Sequence, residues 1–138
     1  MTPLQIISVQ RTFALVVPIK EKAAELFYNR LFGIDPSTKT LFKGDMADQG
    51  RKLMSALSMV VAGLADLPRV LPAVQDLGSR HAGYGVQERH YDSVGAALLW
   101  TLEQGLGKEF TPEVREAWTE AYTTLASVMK AAAKPHAA

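Results

Sequence analysis

An all-α fold is what this sequence predicts, and two observations carry the prediction. Apolar residues recur at three- and four-residue steps along nearly the whole chain, and nowhere does strict apolar–polar alternation appear between hairpin signals. The 138 residues are 48% hydrophobic and 21% charged, the size and composition of one globular unit. A single domain over residues 1–138 with one core is expected.

Thr2-Pro3-Leu4-Gln5 has the spacing of a capping box with proline at the first helical position, so a first helix runs from about Pro3 to Val17 and Pro18 ends it. A second, about Ile19 to Phe32, turns Ala23, Leu26, Phe27 and Leu31 inward and stops at Gly33 as a left-handed cap. Asp35-Pro36 opens a short turn reaching Phe42, and the polar stretch Lys43 to Asp48 with Gly44 reads as a loop. A long helix follows from about Asp48 to Leu64. Pro68 restarts the chain, and from about Arg69 to Arg80 the residues Val70, Val74, Leu77 and His81 share one face at steps of four, three and four. Gly83 and Gly85 interrupt it. Glu88 to Leu106 then buries Tyr91, Val94, Leu98 and Leu102 before Gly105 and Gly107. Thr111-Pro112-Glu113 starts the last helix, whose inner face holds Val114, Trp118, Ala121, Leu125 and either Val128 or Met129; the tail Ala131 to Ala138 is weakly specified.

Several function classes are excluded by composition. A net charge of +1 without a basic run does not suit nucleic acid, which demands clustered cations to displace counterions. The absence of cysteine removes disulfides, thiolate nucleophiles, iron–sulfur clusters and thioether attachment of a haem. The longest near-apolar run, Ala56 to Ala65, falls far short of the roughly 18 residues of a membrane span, so no span is expected. The N-terminus lacks a basic stretch followed by an apolar run, which makes cytoplasmic location the expectation.

Three histidines are present. His136 in the Ala-rich tail reads as solvated and His90 at a helix start as a surface residue. His81 ends an apolar stripe, which suits either a hydrogen-bonded core histidine or a metal ligand. Zinc would want a second histidine at i+4 or an acidic cluster, and neither is near in sequence. One nitrogen suits haem iron, whose porphyrin supplies four. Phe27 and Phe42 read as core aromatics. Tyr28 and Gln49 pose a question, since each puts a polar group where its helix face is otherwise apolar; each is either structurally paired or aimed at a ligand.

Taken in order, Phe27-Tyr28, Asp35-Pro36, Leu41-Phe42, Gln49 with Arg51-Lys52-Leu53-Met54, Gly78-Ser79-Arg80-His81, Tyr84-Gly85-Val86, His90-Tyr91 and Ala117-Trp118-Thr119-Glu120-Ala121-Tyr122 resemble a bacterial haemoglobin of the flavohaemoglobin-related single-domain type. The resemblance runs from the first helix to about Met129. It implies a globin fold, a helical sandwich around a pocket for haem b. His81 takes the place of the proximal iron ligand, its other ring nitrogen donating to the Leu77 carbonyl. Phe42, Leu53, Leu77, Val86, Tyr91 and Val94 contact the cofactor, and Lys52 with Arg51 meets its propionates. On the distal side Tyr28, Gln49 and Leu53 face the ligand position, Tyr28 donating a hydrogen bond to bound O₂ and Gln49 acting as second donor.

One departure bears on activity. Flavohaemoglobin-type enzymes pair the proximal histidine with a tyrosine and a late glutamate; Tyr91 is present, but the matching stretch here is Ala131-Ala132-Ala133. A carboxylate there would push electron density onto the iron, so its absence points to reversible O₂ binding for storage, transport or scavenging rather than turnover. The enzymatic alternative is nitric-oxide dioxygenase with a separate reductase, since the chain has no room for flavin and nicotinamide domains. A haem-based gas sensor is the third reading, although no output domain follows the last helix. NO, CO, sulfide and cyanide would compete for the same iron.

Overall fold

The computed structural model describes residues 1–133, and helices make up nearly all of them. Six α-helices follow one another: α1 Pro3–Val16, α2 Lys20–Ile34, α3 Met46–Ala62, α4 Leu67–Gly83, α5 Glu88–Leu106 and α6 Pro112–Ala133. No strand occurs among the described residues, as the periodicity predicts. His136 lies outside them. No single helix among them is long and apolar enough to cross a membrane.

Local chemistry explains where the helices start and stop. The Thr2 hydroxyl accepts the Gln5 N–H while the Gln5 side chain accepts the Thr2 N–H, closing the expected capping box. Pro18 sits in a single 3₁₀ turn, Val17–Ile19, that leads straight into α2. The second helix does not end at Gly33. It runs on to Ile34, because the stop signal is Asp35, pushed to an extended backbone (φ −139°, ψ 89°) by the following Pro36. The α3 helix begins at Met46, two residues before the expected start, since the Asp45 carboxylate accepts the Ala47 N–H at 3.1 Å. It ends at Ala62, and a 3₁₀ turn over Leu64–Asp66 follows. Likewise α4 starts at Leu67, tolerates Pro68 in its first turn and Pro72 further in, and extends to Gly83, so that His81 lies inside its last turn. The α5 span matches the predicted one.

The core is built by crossing pairs rather than by a parallel bundle: α4 packs chiefly on α6, α2 on α5 and α1 on α6. Trp118 is almost fully buried, and its indole N–H donates to the Thr12 hydroxyl at 2.9 Å while Thr12 donates to the Ser8 carbonyl at 2.7 Å. On α6 it is Met129, not Val128, that reaches the core, and Leu125 stays half-buried. At the α4–α6 crossing the two backbones come so close that a Cβ on Gly78 would lie 2.4 Å from the Met129 carbonyl oxygen. In contrast, α3 and α4 are consecutive but touch only lightly.

Candidate functional site

The expected cofactor contacts come from five segments: the Phe42 turn, α3, α4, the α4–α5 turn and α5. His81 is half-buried at the end of α4, and its Nδ1 lies 2.7 Å from the Leu77 carbonyl oxygen one turn earlier. A carbonyl can only accept, so Nδ1 carries the proton and Nε2 is left with a free lone pair. Val86 folds back onto the same helix end, its N–H donating to the His81 carbonyl at 3.0 Å. A Cβ on Gly85 would meet the Leu41 side chain at 3.8 Å, which brings the α4–α5 turn against the segment that carries Phe42.

Phe42, Leu53, Leu77, Val86 and Val94 share one property. Each packs against the core yet remains half-buried, so apolar surface from the Phe42 segment, α3, α4, the α4–α5 turn and α5 is left partly uncovered. Covering it would be worth about 25 cal/mol per Å². The expected burial of Val94 is therefore only partial in this chain by itself. Half-buried apolar side chains with an imidazole among them are chemically suited to a flat, largely apolar group that carries a metal. Among the described residues no group of three His, Cys, Asp or Glu side chains could hold a bare metal ion.

Tyr28 is 6% exposed, enclosed by the rings of Phe27, Phe32 and Phe42 at centroid distances of 5.1, 6.0 and 5.0 Å. Burial raises its pKa to about 12, so the phenol stays protonated and able to donate. Its proton goes to the main-chain carbonyl of Gln49 at 3.0 Å. The expectation that the Gln49 amide points into the apolar face is corrected here: it donates to the Lys43 carbonyl at 3.1 Å on the exposed side. A first-turn side chain can bend back over the preceding loop, which helical spacing does not reveal.

The remaining expectations divide. Arg51 is engaged with Asp48 one turn earlier, whereas Lys52 is exposed and makes no ion pair among the described residues. Tyr91 is buried but directed toward α6: its carbonyl accepts the Tyr122 hydroxyl at 2.5 Å and Lys130 Nζ stands 5.5 Å over its ring. Its own hydroxyl is buried with no hydrogen-bond partner among the described residues, and burial raises its pKa. Near it Ala131, Ala132 and Ala133 continue α6 with no carboxylate. His90 is not a surface residue. It is 4% exposed, because its Nδ1 accepts the Gln87 N–H at 2.9 Å and so caps α5 from the inside.

Two features went unseen in the sequence. Gly50 is buried, and a Cβ there would lie 3.0 Å from the Ala24 Cβ, so glycine lets the first turn of α3 approach α2. Asp35 ties the site's two sides together, accepting from the Ser37 hydroxyl and from Ser93 on α5 at 3.3 Å, with Arg89 3.8 Å away. Those bonds, Ser37 first, lower its pKa. A glycine inside an amphipathic helix was the signal for the first; no local pattern marks the second.

Comparison with known proteins gives two findings. The globin family model matches residues 25–129. Among curated relatives, a flavohemoprotein of Xylella fastidiosa is 32% identical over 132 residues, covering 94% of this chain and 33% of its own length. A flavohemoprotein of Vibrio cholerae is 33% identical over 119 residues, 81% of this chain and 30% of that protein. The chain spans about a third of the length of these relatives.

Proposed function

Because the chain belongs to the globin family, we propose that it binds O₂ reversibly at a haem b held by His81, with Tyr28 as the ligand's hydrogen-bond donor. When bound, haem b would supply an iron able to take a protein nitrogen, here that of His81, and a small molecule such as O₂, NO or CO. The observation that carries the reading is His81 itself, a half-buried imidazole in the last turn of α4 whose Nδ1–H is fixed by Leu77, so that in the neutral ring Nε2 holds the lone pair.

The chain's residues divide the remaining work. Phe42, Leu53, Leu77, Val86 and Val94 offer the apolar surface that would hold the ring faces and keep water out. Lys52 is the cation at hand for the propionates, since Arg51 is already paired. Tyr28, kept protonated by burial, would donate a hydrogen bond to a small-molecule ligand, worth about 1.5–3 kcal/mol if the acceptor is charged, or roughly ten- to a hundredfold in affinity. Slow release follows.

Storage or scavenging is favoured over nitric-oxide dioxygenase turnover by the end of α6, where Ala131, Ala132 and Ala133 offer no carboxylate to the proximal side. Nitric-oxide dioxygenase turnover would in addition need a reductase to return the iron to its ferrous state. The test is the optical spectrum of the haem-loaded protein beside His81→Ala and Tyr28→Phe. Stable oxy bands lost with His81→Ala, and O₂ release accelerated at least about tenfold by Tyr28→Phe, are the expected results. Unchanged haem retention without His81 would refute the assignment.

A further inference from the structure

We infer that Gln49 serves the ligand wall through its main chain and not through its amide: its carbonyl is the resting acceptor of the Tyr28 proton, and a ligand obtains that proton only by displacing the carbonyl. This rests on the reading of Tyr28 as the ligand's donor. It makes Gln49 a positioning residue.

Tyr28 has one proton to give, and in the structure it is given to the Gln49 carbonyl. Three aromatic rings hold the phenol ring in place, so an exchange of partners needs only rotation of the hydroxyl hydrogen about its C–O bond. The carbonyl is not orphaned when the phenol turns away. It lies in the first turn of α3, where the helix ladder also brings it the Leu53 N–H. Neither acceptor therefore leaves a buried polar group unpaired, which keeps the exchange easily reversible.

The geometry that brings the carbonyl within reach is built into both helices. Gly50, the next residue along, sits against Ala24, one turn before Tyr28 on α2, where an added Cβ would lie 3.0 Å from the Ala24 Cβ, so glycine allows the close approach. On the outer side the Gln49 amide donates to the Lys43 carbonyl across a turn in which Gly44 takes φ +90°, a conformation that favours glycine. The amide is thus occupied with the loop while the carbonyl is occupied with the phenol.

The experiment uses full-length protein labelled at the Gln49 carbonyl carbon, loaded either with zinc protoporphyrin, which is diamagnetic, or with haem in the ferrous state under O₂. In the zinc form Tyr28→Phe is expected to move the Gln49 carbonyl resonance; in the O₂ form wild type and Tyr28→Phe are expected to coincide. Alongside, Gln49→Leu, which removes the amide and leaves the carbonyl in place, is expected to accelerate O₂ release far less than Tyr28→Phe does. Gln49→Leu accelerating release as much as Tyr28→Phe would make the amide the donor and overturn the inference. So would a carbonyl resonance indifferent to Tyr28→Phe in the zinc form. If the resonance responds there but O₂ release ignores Tyr28→Phe, the competition falls together with the donor role of Tyr28, while the assignment of His81 stands.

Discussion

Replacing Gly78 by alanine places a methyl carbon 2.4 Å from the Met129 carbonyl oxygen and 2.6 Å from its Cα, where ordinary contact begins near 3.4 Å. Both obstacles are backbone, so no side chain can swing aside and α4 must withdraw from α6 by about 1 Å. Overpacking of this kind costs about 1–3 kcal/mol, and the upper end applies where two helices must separate. Alanine returns up to about 1 kcal/mol through helix propensity, leaving a net loss of roughly 2 kcal/mol. For a domain of this size that lowers the melting temperature by roughly 8 °C. Gly83→Ala is the matched control, since nothing lies within 4 Å of its Cβ and the propensity gain alone should remain. Urea unfolding of the haem-free protein followed by circular dichroism gives the stability. Transfer of haem to an acceptor protein gives the effect on His81, three residues further along α4. Expected are a destabilised Gly78→Ala that loses haem faster and a Gly83→Ala no less stable than wild type. A Gly78→Ala as stable as the parent would mean that α4 and α6 do not meet at this point.

Other consequences follow from the buried polar contacts. Thr12→Val strips the Trp118 indole N–H of its acceptor and should cost about 1–3 kcal/mol in urea unfolding, whereas Trp118→Phe with Thr12→Val should lose less than the sum of the two single changes. Because the pKa of Asp35 is lowered in the folded state, its contribution is present above the unfolded carboxylate range and is lost as pH falls through the folded value. The acid limb of unfolding should therefore be shallower in Asp35→Asn than in wild type. For Tyr28 the sign is opposite: the folded pKa is raised to about 12 from 10.0, so its contribution is complete below pH 10 and disappears between there and about 12. Alkaline unfolding monitored at the tyrosinate absorption should show that loss in wild type and a smaller one in Tyr28→Phe.

What was legible in the sequence was whatever repeats along a helix. The stripe Val70, Val74, Leu77, His81 needed only a period of 3.6 to put the histidine on the inner face, and the Leu77 contact follows from the same spacing. The capping box at Thr2 and Gln5 was equally local. What depends on a partner element was not. Gly33 looks like a cap because glycine often is one, but the residue before Pro36 decides the end of α2. His90 looked superficial because a polar side chain at a helix start usually is, and its inward turn exists only because Gln87 N–H needs an acceptor. Gln49 was assigned to the right turn of the right helix, yet its amide and its carbonyl face different tasks, a distinction that side-chain periodicity cannot express.

The hydrogen bond between Trp118 and Thr12 joins residues 106 apart. A ribosome adding about 5–20 residues per second must work for roughly 5–20 s after Thr12 emerges before Trp118 exists at all. Throughout that interval the inner face of α1, with Val9, Phe13 and Val16, has no α6 to cover it. The packing of α1 is therefore completed only once α6 has been synthesised, however early α1 itself becomes helical.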